Sequence, residues 1–246
     1  MKHGNISIIG GGVSGLAAAV ASAQNGAQVT VFEKNDRVGK KLLATGNGRC
    51  NLANMGKPVY FGDSAFALET LKAMPVEKVL QFLDSLGLPC RAEESGRVYP
   101  ACNQAAAVLD VLRFHLEKNG VVIRTGCAVN AIRKKENGFQ LQTSQGTYSA
   151  DKVIVCCGGS AAPKLGGTDA TGLLTAFGCT RVPDHPALTP LETEKAPIKG
   201  LSGLRLSAVL TLCDGKTPVE RTAGEVLFAD YGVSGVCAMQ LARTAA

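Results

Sequence analysis

Residues 6–33 read ISIIGGGVSGLAAAVASAQNGAQVTVFE. A short apolar run leads into three glycines, and an alanine-rich segment that favours a helix follows them. Asn25 and Gly26 end that segment, and the β-branched run QVTVFE at 28–33 favours a second strand. Strand, glycine turn, helix and strand in this order predict a right-handed βαβ unit with two parallel strands.

Three glycines and one acid in this unit have the spacing of a dinucleotide-binding motif. Gly10, Gly12 and Gly15 form the pattern G-x-G-x-x-G where the first strand ends and the helix begins. The first glycine permits a tight turn, the second admits a pyrophosphate, and the third allows the helix to pack closely on the sheet. Glu33 ends the second strand, where a carboxylate accepts hydrogen bonds from a ribose. The alternative is a glycine-rich turn beside a surface glutamate. It does not explain why the glycines lie between a strand and a helix and why the acid lies at the end of the second strand.

The segments after this unit predict two helices and then a set of short strands. Pro75–Leu86 and Asn103–Lys118 have helical patterns, and Asn103 is the expected N-cap of the second helix. Apolar and polar residues then alternate, as in a strand, in four segments, which are 121–124, 128–134, 139–143 and 147–150. Asn137 and Gly138 give a hairpin signal between two of them, so we predict a β-meander.

An apolar run, VIVCC at 153–157, follows the meander and ends in Gly158 and Gly159. Such a run predicts a central strand that is buried on both faces. A short helix is expected at Asp169–Phe177. The order of βαβ unit, helices, meander and apolar strand favours FAD over NAD, because an NAD domain would continue with further βαβ units. A core strand that merely ends in a turn is the alternative for this run.

The segment GKKLLATGNGRCN at 39–51 combines three glycines with two lysines and one arginine. Backbone N–H groups and cations in such a loop can meet phosphate oxygens or the flavin edge, whereas the alternative is a mobile basic surface loop. Arg49 is the best candidate for a positive charge near the flavin. Cys50 is interpreted as a small buried residue in preference to a reactive thiol that its neighbouring cation activates.

The composition excludes several classes of protein. With 46% hydrophobic and 19% charged residues, the chain is not intrinsically disordered. The net charge of +6 is mild and spread out, so we expect neither nucleic-acid nor membrane binding. Nine cysteines without a C-x-x-C motif indicate reduced thiols in a cytoplasmic protein and no metal site. His115 and His185 are assigned no catalytic role, and no other catalytic residue is predicted.

Five segments together resemble one family. They are GGGVSGLAAA, GKKLLATGNGRCNLAN, GRVYPACNQAAAVLDVLR, CCGGSAAPKLG and GEVLFADYGVSG, and the resemblance runs over essentially all 246 residues. The family comprises NAD(P)/FAD-dependent oxidoreductases of the aminoacetone-oxidase-like or bile-acid-reductase-like (BaiN-type) flavoproteins. The segment at 39–51 is the most specific part of the resemblance.

The resemblance implies an α/β fold and a cofactor. The fold is a two-dinucleotide-binding (glutathione-reductase-like) FAD domain with a β-meander, interrupted by an inserted β-rich domain. We therefore expect the FAD domain at 1–190 and the beginning of the inserted domain at 191–246. FAD is the implied cofactor, and NAD(P)H is a possible co-substrate. The implied cofactor contacts are Gly10, Gly12, Ser14, Gly15, Glu33, Lys34, Lys41, Thr45, Gly46, Gly48, Arg49, Cys50, Asn51, Val129, Gly158 and Gly159.

The chain departs from the family pattern in two places and in its length. Ala229 and Asp230 stand where many members have Thr-His, and Val236 stands where many have proline. Members run well past 246 residues and return to the flavin domain, so we expect a C-terminally truncated chain. On this interpretation the 246 residues alone bind FAD weakly or not at all, show little turnover and are not fully competent as an enzyme.

The leading hypothesis is an FAD-dependent oxidoreductase that carries out two-electron (hydride) transfer at the flavin. NAD(P)H or dioxygen is the other redox partner, and the substrate is a small molecule. A non-catalytic flavin- or dinucleotide-binding fragment or sensor is the first alternative. An FAD-dependent tRNA-modifying enzyme of related fold is the second, and the scattered positive charge does not favour it.

Overall fold

The helices and strands are those of a computed structural model that describes residues 4–60, 62–167, 170–183 and 187–245. The helices are α1 (Val13–Gln24), α2 (Lys40–Ala44), α3 (Ser64–Ala73), α4 (Val76–Ser85), α5 (Ala105–Lys118), α6 (Thr171–Leu174) and α7 (Val236–Ala245). The strands are β1 (Asn5–Ile9), β2 (Gln28–Phe32), β3 (Ala53–Asn54), β4 (Cys90–Ala92), β5 (Arg97–Pro100), β6 (Val122–Arg124), β7 (Val129–Lys135), β8 (Gly138–Thr143), β9 (Gly146–Ala150), β10 (Lys152–Val155), β11 (Leu191–Glu192), β12 (Arg205–Asp214), β13 (Thr217–Ala229) and β14 (Gly232–Ser234).

A parallel sheet with helices on one face and a meander on the other organises the first part of the chain. The strand order is β10-β1-β2-β6, and each neighbouring pair is parallel. Helix α1 connects β1 to β2, so the predicted βαβ unit is confirmed. This α/β fold with an added antiparallel meander agrees with the predicted fold class.

Two apolar clusters lie on the two faces of this sheet. The helical side contains Leu16 of α1 and Leu112 of α5, which are fully or almost fully buried beside Ile8 of β1. The other side contains Phe32 and Leu141, where the meander β7-β8-β9 packs. Successive side chains of a strand point to opposite faces of the sheet. Strand β2 therefore contributes Val29 and Val31 to one cluster and Phe32 to the other.

Three expectations about individual elements are wrong. Residues 122–124 pair in parallel with β2 and do not belong to the meander. The run at 153–157 is not a central strand, because β10 pairs with β1 alone among the described residues and ends at Val155. Asn103 does not cap α5, which begins at Ala105 after Gln104. Asn103 instead has a φ of 55°, and its side chain accepts hydrogen bonds from Arg49.

The predicted helix at 169–177 is shorter than expected. It consists of α6 and a 3-10 turn at Thr175–Phe177, and Gly178 closes it with a φ of 78°. Asp169, at which the predicted helix began, and His185 lie outside the described residues.

The chain divides into two compact units, Met1–Thr180 and Arg181–Ala246. The second unit contains an antiparallel sheet of order β11-β14-β13-β12. Helix α7 packs on β13 of this sheet, and Cys237 and Leu241 of α7 and Val226 of β13 are buried. The boundary expected at 190/191 stays a prediction. In the described ranges, no helix combines the length and the apolar character that crossing a membrane requires.

Candidate cofactor site

Gly10 and Gly15 bring the end of β1 and the start of α1 into close contact. Gly10 has a φ of 106°, and a Cβ at this position would lie 2.3 Å from the carbonyl oxygen of Cys156. A Cβ at Gly15 would lie 1.9 Å from the carbonyl oxygen of Gly10. Any side chain at either position would therefore push the backbone segments apart.

Gly12 has the opposite environment. A Cβ at Gly12 would meet no atom within 4 Å, so the space beside the start of α1 is open. Gly12 is the N-cap of α1, no side chain caps this end, and the first turn contains no acidic residue. The free N–H groups and the positive end of the helix dipole make such a terminus suited to a phosphate group.

Glu33 lies beside this turn with its side chain almost fully buried. Its Oε2 accepts a hydrogen bond from the backbone N–H of Gly11 at 2.7 Å. Its Oε1 accepts two from Asn35, one from the backbone N–H at 2.8 Å and one from Nδ2 at 2.6 Å. The charged carboxylate is thus held in one orientation at the end of β2.

A cavity of about 640 Å³ opens at the carboxyl ends of β1 and β2. In α/β folds this end of the parallel sheet is where ligands bind, and the volume is that of a small-molecule site. The cavity is lined by Ile9, Gly10, Gly11, Gly12, Val13, Ser14, Phe32, Glu33, Lys34, Asn35, Arg37, Gly39, Lys40, Lys41, Leu42, Thr45, Cys50, Asn51, Leu52, Cys127, Ala128, Val129, Asn130, Cys156, Cys157, Gly158, Leu165, Gly166, Gly167, Gly172 and Leu173.

The charged residues on this wall are mostly basic. Of the described lining residues, four are basic and Glu33 is the one acid. Lys40 is paired at 2.5 Å with Asp36, and this hydrogen bond lowers the pKa of the Asp36 carboxyl. A cavity with this charge balance favours an anionic ligand, such as one that contains a pyrophosphate.

Two lysines fasten the loop at 158–167 to the wall of the cavity. Nζ of Lys41 donates to the carbonyl oxygens of Ala161 at 2.5 Å and Gly159 at 3.4 Å. Nζ of Lys34 donates to the carbonyl oxygen of Gly167 at 3.1 Å. These lysines therefore contribute to the shape of the site as well as to its charge.

Arg49 points to a different set of partners. Its guanidinium lies over the ring of Tyr99, 3.8 Å from the centroid, and donates to Oδ1 of Asn103 at 2.9 Å. It also forms an ion pair with Glu93, which raises the pKa of Arg49. Arg49 is not among the residues that line the cavity, so its placement near the flavin stays a prediction.

The cavity brings together eleven of the sixteen residues that the sequence predicts as cofactor contacts. Those that line it are Gly10, Gly12, Ser14, Glu33, Lys34, Lys41, Thr45, Cys50, Asn51, Val129 and Gly158. Those that do not are Gly15, Gly46, Gly48, Arg49 and Gly159. Gly15 is buried under the turn, and Gly46 and Gly48 have positive φ values in the 3-10 turn after α2. A direct contact with the cofactor stays a prediction for each of the sixteen.

Sequence reasoning missed several lining residues. Asn35 and Arg37 lie two and four positions after Glu33, and Asn130 lies on β7 beside the predicted Val129. Proximity to Glu33 is the signal that could have found the first two, since residues after the second strand of a βαβ unit face the same ligand. No motif marks Asn130. In the described ranges, no group of three or more His, Cys, Asp or Glu side chains is placed to hold a metal ion.

Three thiols that line the cavity have pKa values above that of an exposed thiol. Burial raises the pKa of Cys50, and a hydrogen bond to Thr45 opposes this effect. Burial also raises the pKa of Cys156 and of Cys157, and the neighbouring Cys156 adds to the effect at Cys157. Cys50 is therefore a small buried residue, as predicted, and not an activated thiol.

Alkylation by iodoacetamide at neutral pH is expected to modify the exposed Cys102 and Cys213 long before Cys50 and Cys156. The thiolate is the reactive form, so buried thiols with raised pKa values need a more alkaline pH to react. Peptide mass spectrometry over a time course, at neutral and alkaline pH, measures these rates. Modification of Cys50 as fast as Cys102 in the folded protein would contradict the burial and the protonation that we describe.

The residues present fit an FAD. The open position at Gly12 leaves room for a pyrophosphate at the start of α1. Glu33 supplies a fixed carboxylate for a ribose, and Val129 and Leu173 supply apolar wall for a ring system. A mostly apolar cavity with a few fixed polar groups is the usual composition of a cofactor site.

Comparison with known proteins identifies the family. A family model described as HI0933-like protein Rossmann domain matches residues 4–230. The chain is 39% identical over 245 residues to the 3-dehydro-bile acid delta(4,6)-reductase of Clostridium scindens, a match that covers 97% of this chain and 59% of that protein. It is 27% identical over 248 residues to the ribosomal RNA dihydrouridine synthase of Haemophilus influenzae, with 96% and 60% covered. The chain thus spans about 60% of the length of these curated relatives.

One solved structure that matches part of the chain is that of NikD, an unusual amino acid oxidase essential for nikkomycin biosynthesis. It has a TM-score of 0.42 and 19% identity, over 72% of this chain and 55% of that chain. The resemblance predicted from the five sequence segments is confirmed by the family model and by the match to the bile-acid reductase. Because that model matches well over half of the chain, this protein belongs to the family of the HI0933-like protein Rossmann domain.

Proposed function

We propose that this chain forms the FAD-binding part of an FAD-dependent oxidoreductase. FAD supplies two-electron (hydride) chemistry when it is bound. NAD(P)H or dioxygen is the other redox partner in this proposal. The chain itself binds and orients the cofactor and keeps water from part of it.

The observation that carries the proposal is the contrast between Gly12 and its two neighbouring motif glycines. A Cβ at Gly10 or Gly15 would collide with backbone atoms, whereas a Cβ at Gly12 would project into open space at the cavity. Of these three glycines, Gly12 is the one at which a Cβ would project into open space, beside the N-terminus of α1 that suits a pyrophosphate. A glycine-rich turn with a purely structural role needs no such opening.

The side chains around this point have distinct proposed tasks. Glu33 accepts from a ribose hydroxyl, and the basic wall at Lys34 and Arg37 favours the negative charge of the pyrophosphate. The wall formed by β7, with Val129, excludes water from the apolar part of the cofactor. These tasks lie in binding and orientation, and no described residue is assigned a proton-transfer step.

The relatives suggest a class of substrate. A delta(4,6)-reductase of a 3-dehydro bile acid and a dihydrouridine synthase are both named for adding hydrogen across a ring carbon–carbon double bond. We propose the same reaction class here: one hydride and one proton add to the two carbons of a conjugated ring double bond, and a nicotinamide nucleotide is oxidised. A small enone is favoured over RNA, because the bile-acid reductase is the more similar of these two relatives.

An RNA substrate is the second candidate, and the dihydrouridine synthase is the observation in its favour. The two candidates differ in their dependence on salt. Binding to RNA releases counterions and weakens steeply as salt rises, whereas binding of a neutral enone does not.

A reduction assay in the protein that contains this chain tests the proposal. After FAD is loaded and oxygen removed, NADH or NADPH is expected to bleach the flavin absorbance faster than it bleaches free FAD. The rate at which the reduced flavin is reoxidised is then measured with each of three acceptors, a cyclic enone, a uridine-containing RNA and dioxygen. Bleaching no faster than that of free FAD would favour a non-catalytic flavin-binding protein.

Glu33→Gln is expected to weaken FAD binding by about tenfold or more, since a hydrogen bond to a charged group contributes about 1.5–3 kcal/mol. The NH2 group of the new glutamine would also face Gly11 or Asn35, which both donate to the carboxylate in the wild-type protein, so one donor would face another. Quenching of flavin fluorescence gives the dissociation constant. Glu69→Gln is the control, because Glu69 is exposed on α3 and pairs only with Lys72 among the described residues. Equal affinity in the folded Glu33 variant would count against the ribose contact.

A further inference from the structure

The carboxylate of Glu33 is held by a side chain that lies outside the glycine motif. Asn35 donates to Oε1 of Glu33 through its backbone N–H at 2.8 Å and through its Nδ2 at 2.6 Å. The backbone N–H of Gly11 donates to Oε2 at 2.7 Å. Glu33 is only 7% exposed, so these donors replace most of the water that a carboxylate would otherwise bind.

The number of donors limits what the carboxylate can still accept. A carboxylate has about four lone-pair sites on its two oxygens. In the described part of the chain, Asn35 takes two sites on Oε1, and Gly11 takes one on Oε2. The remaining site is on Oε2, which leaves room for one hydroxyl donor and not for both hydroxyls of a ribose diol.

The backbone of this segment is fixed independently of the Asn35 side chain. The N–H of Glu33 donates to Arg124 at 2.9 Å, and the carbonyl oxygen of Glu33 accepts from Cys127 at 2.9 Å. The carbonyl oxygen of Asn35 accepts from the N–H of Gly126 at 2.7 Å. Loss of the Asn35 side-chain amide would therefore remove one of the three donors to the carboxylate, while the backbone donors and the end of β2 stay in place.

We propose that Asn35 is a positioning residue that directs Oε2 of Glu33 toward a single ribose hydroxyl of a bound adenine nucleotide. The inference rests on the proposed function of the cavity as an FAD site. Because Asn35 occupies Oε1, the carboxylate cannot turn to present both oxygens to the diol. Recognition of the ribose is thus limited to one hydroxyl and depends on a residue that makes no contact with that hydroxyl itself.

Titration calorimetry with ADP, 2′-deoxy-ADP and 3′-deoxy-ADP tests this assignment, because these ligands differ only in the ribose hydroxyls. The wild-type protein is expected to bind ADP about tenfold more tightly than one deoxy analogue and about as tightly as the other. In Asn35→Ala the ratio of the dissociation constants of the discriminated analogue and ADP is expected to fall toward one, because the carboxylate loses the side-chain donor that fixes its orientation. Asn25→Ala is the matched control, since Asn25 also donates through its amide, to Ala21, at an exposed position.

Asn35→Asp keeps the size of the side chain and removes the amide donor. It is expected to weaken binding of all three ligands and to bring the same ratio to about one, because two carboxylates then face each other. Thermal unfolding checks that both variants are folded, and the aspartate variant is used if the alanine variant is not.

Three results separate the possible failures. If the folded Asn35 variants prefer ADP over the discriminated analogue as strongly as the wild-type protein does, the positioning role is overturned. Discrimination against both deoxy analogues by the wild-type protein, or against neither, would overturn the single-hydroxyl geometry. If neither ADP nor FAD binds the wild-type protein, the proposed function itself fails.

Discussion

Gly12→Val is expected to abolish FAD binding and to leave the fold intact. Gly12 has a φ of −76° and a ψ of 179°, an extended conformation that a β-branched residue adopts easily. A Cβ there would meet no atom within 4 Å, so valine fits the free protein. Its methyl groups would project into the space beside the N-terminus of α1, where the pyrophosphate has to approach the backbone.

Flavin fluorescence titration measures this effect, and urea unfolding checks the stability. The free energy of unfolding is expected to fall by no more than about 1 kcal/mol, because valine is a poorer N-cap than glycine. Gly172→Val is the matched control, because Gly172 also lines the cavity with no atom within 4 Å of its Cβ position. It is expected to retain saturable binding. A Gly12→Val protein that purifies with bound FAD would show that the turn has a structural role only.

Gly15→Ala is expected to destabilise the protein by at least about 2 kcal/mol, although alanine usually favours a helix over glycine by about 1 kcal/mol. The new Cβ would lie 1.9 Å from the carbonyl oxygen of Gly10 and 3.4 Å from Cβ of Cys156. The contact is with backbone, so no side-chain rotation relieves it, and α1 has to move away from β1. The loss of this close packing outweighs the gain in helix propensity.

Urea denaturation followed by circular dichroism measures the free energy of unfolding for this variant. Gly172→Ala in α6 is the control, since its Cβ position is open and only the propensity changes. We expect that change to stay within about 1 kcal/mol. A Gly15→Ala protein as stable as wild type would contradict the packing of α1 on the turn.

The βαβ unit could be predicted from sequence because its requirements are local. The turn needs a residue that tolerates a φ of 106° at Gly10, and the spacing of the glycines shows where that turn lies. The position of a strand within a sheet is not local. Residues 122–124 alternate like the meander strands, but they pair with β2, about ninety positions earlier in the chain. The run VIVCC is apolar enough for a central strand, yet β10 has one described neighbour, β1.

The candidate site could be predicted in part for the same reason. The motif glycines and Glu33 are predictable because each has a fixed place relative to the end of a strand or helix. The adjoining glycine-rich loop predicts Arg49 near the flavin, whereas no local pattern predicts its partners Glu93 and Asn103, which lie 44 and 54 positions away in the sequence. The position of Asn35 two residues after Glu33 could mark it as a lining residue, but no sequence pattern predicts its side-chain hydrogen bond to Glu33.

The central claim is that the cavity at the ends of β1 and β2 is an FAD site, and a titration with FAD of the protein that contains this chain tests it most directly. We predict saturable, one-to-one quenching of flavin fluorescence, reversed by excess ADP, because the adenosine diphosphate half occupies the site at Gly12 and Glu33. Absence of saturation, or quenching that ADP does not reverse, would contradict the claim.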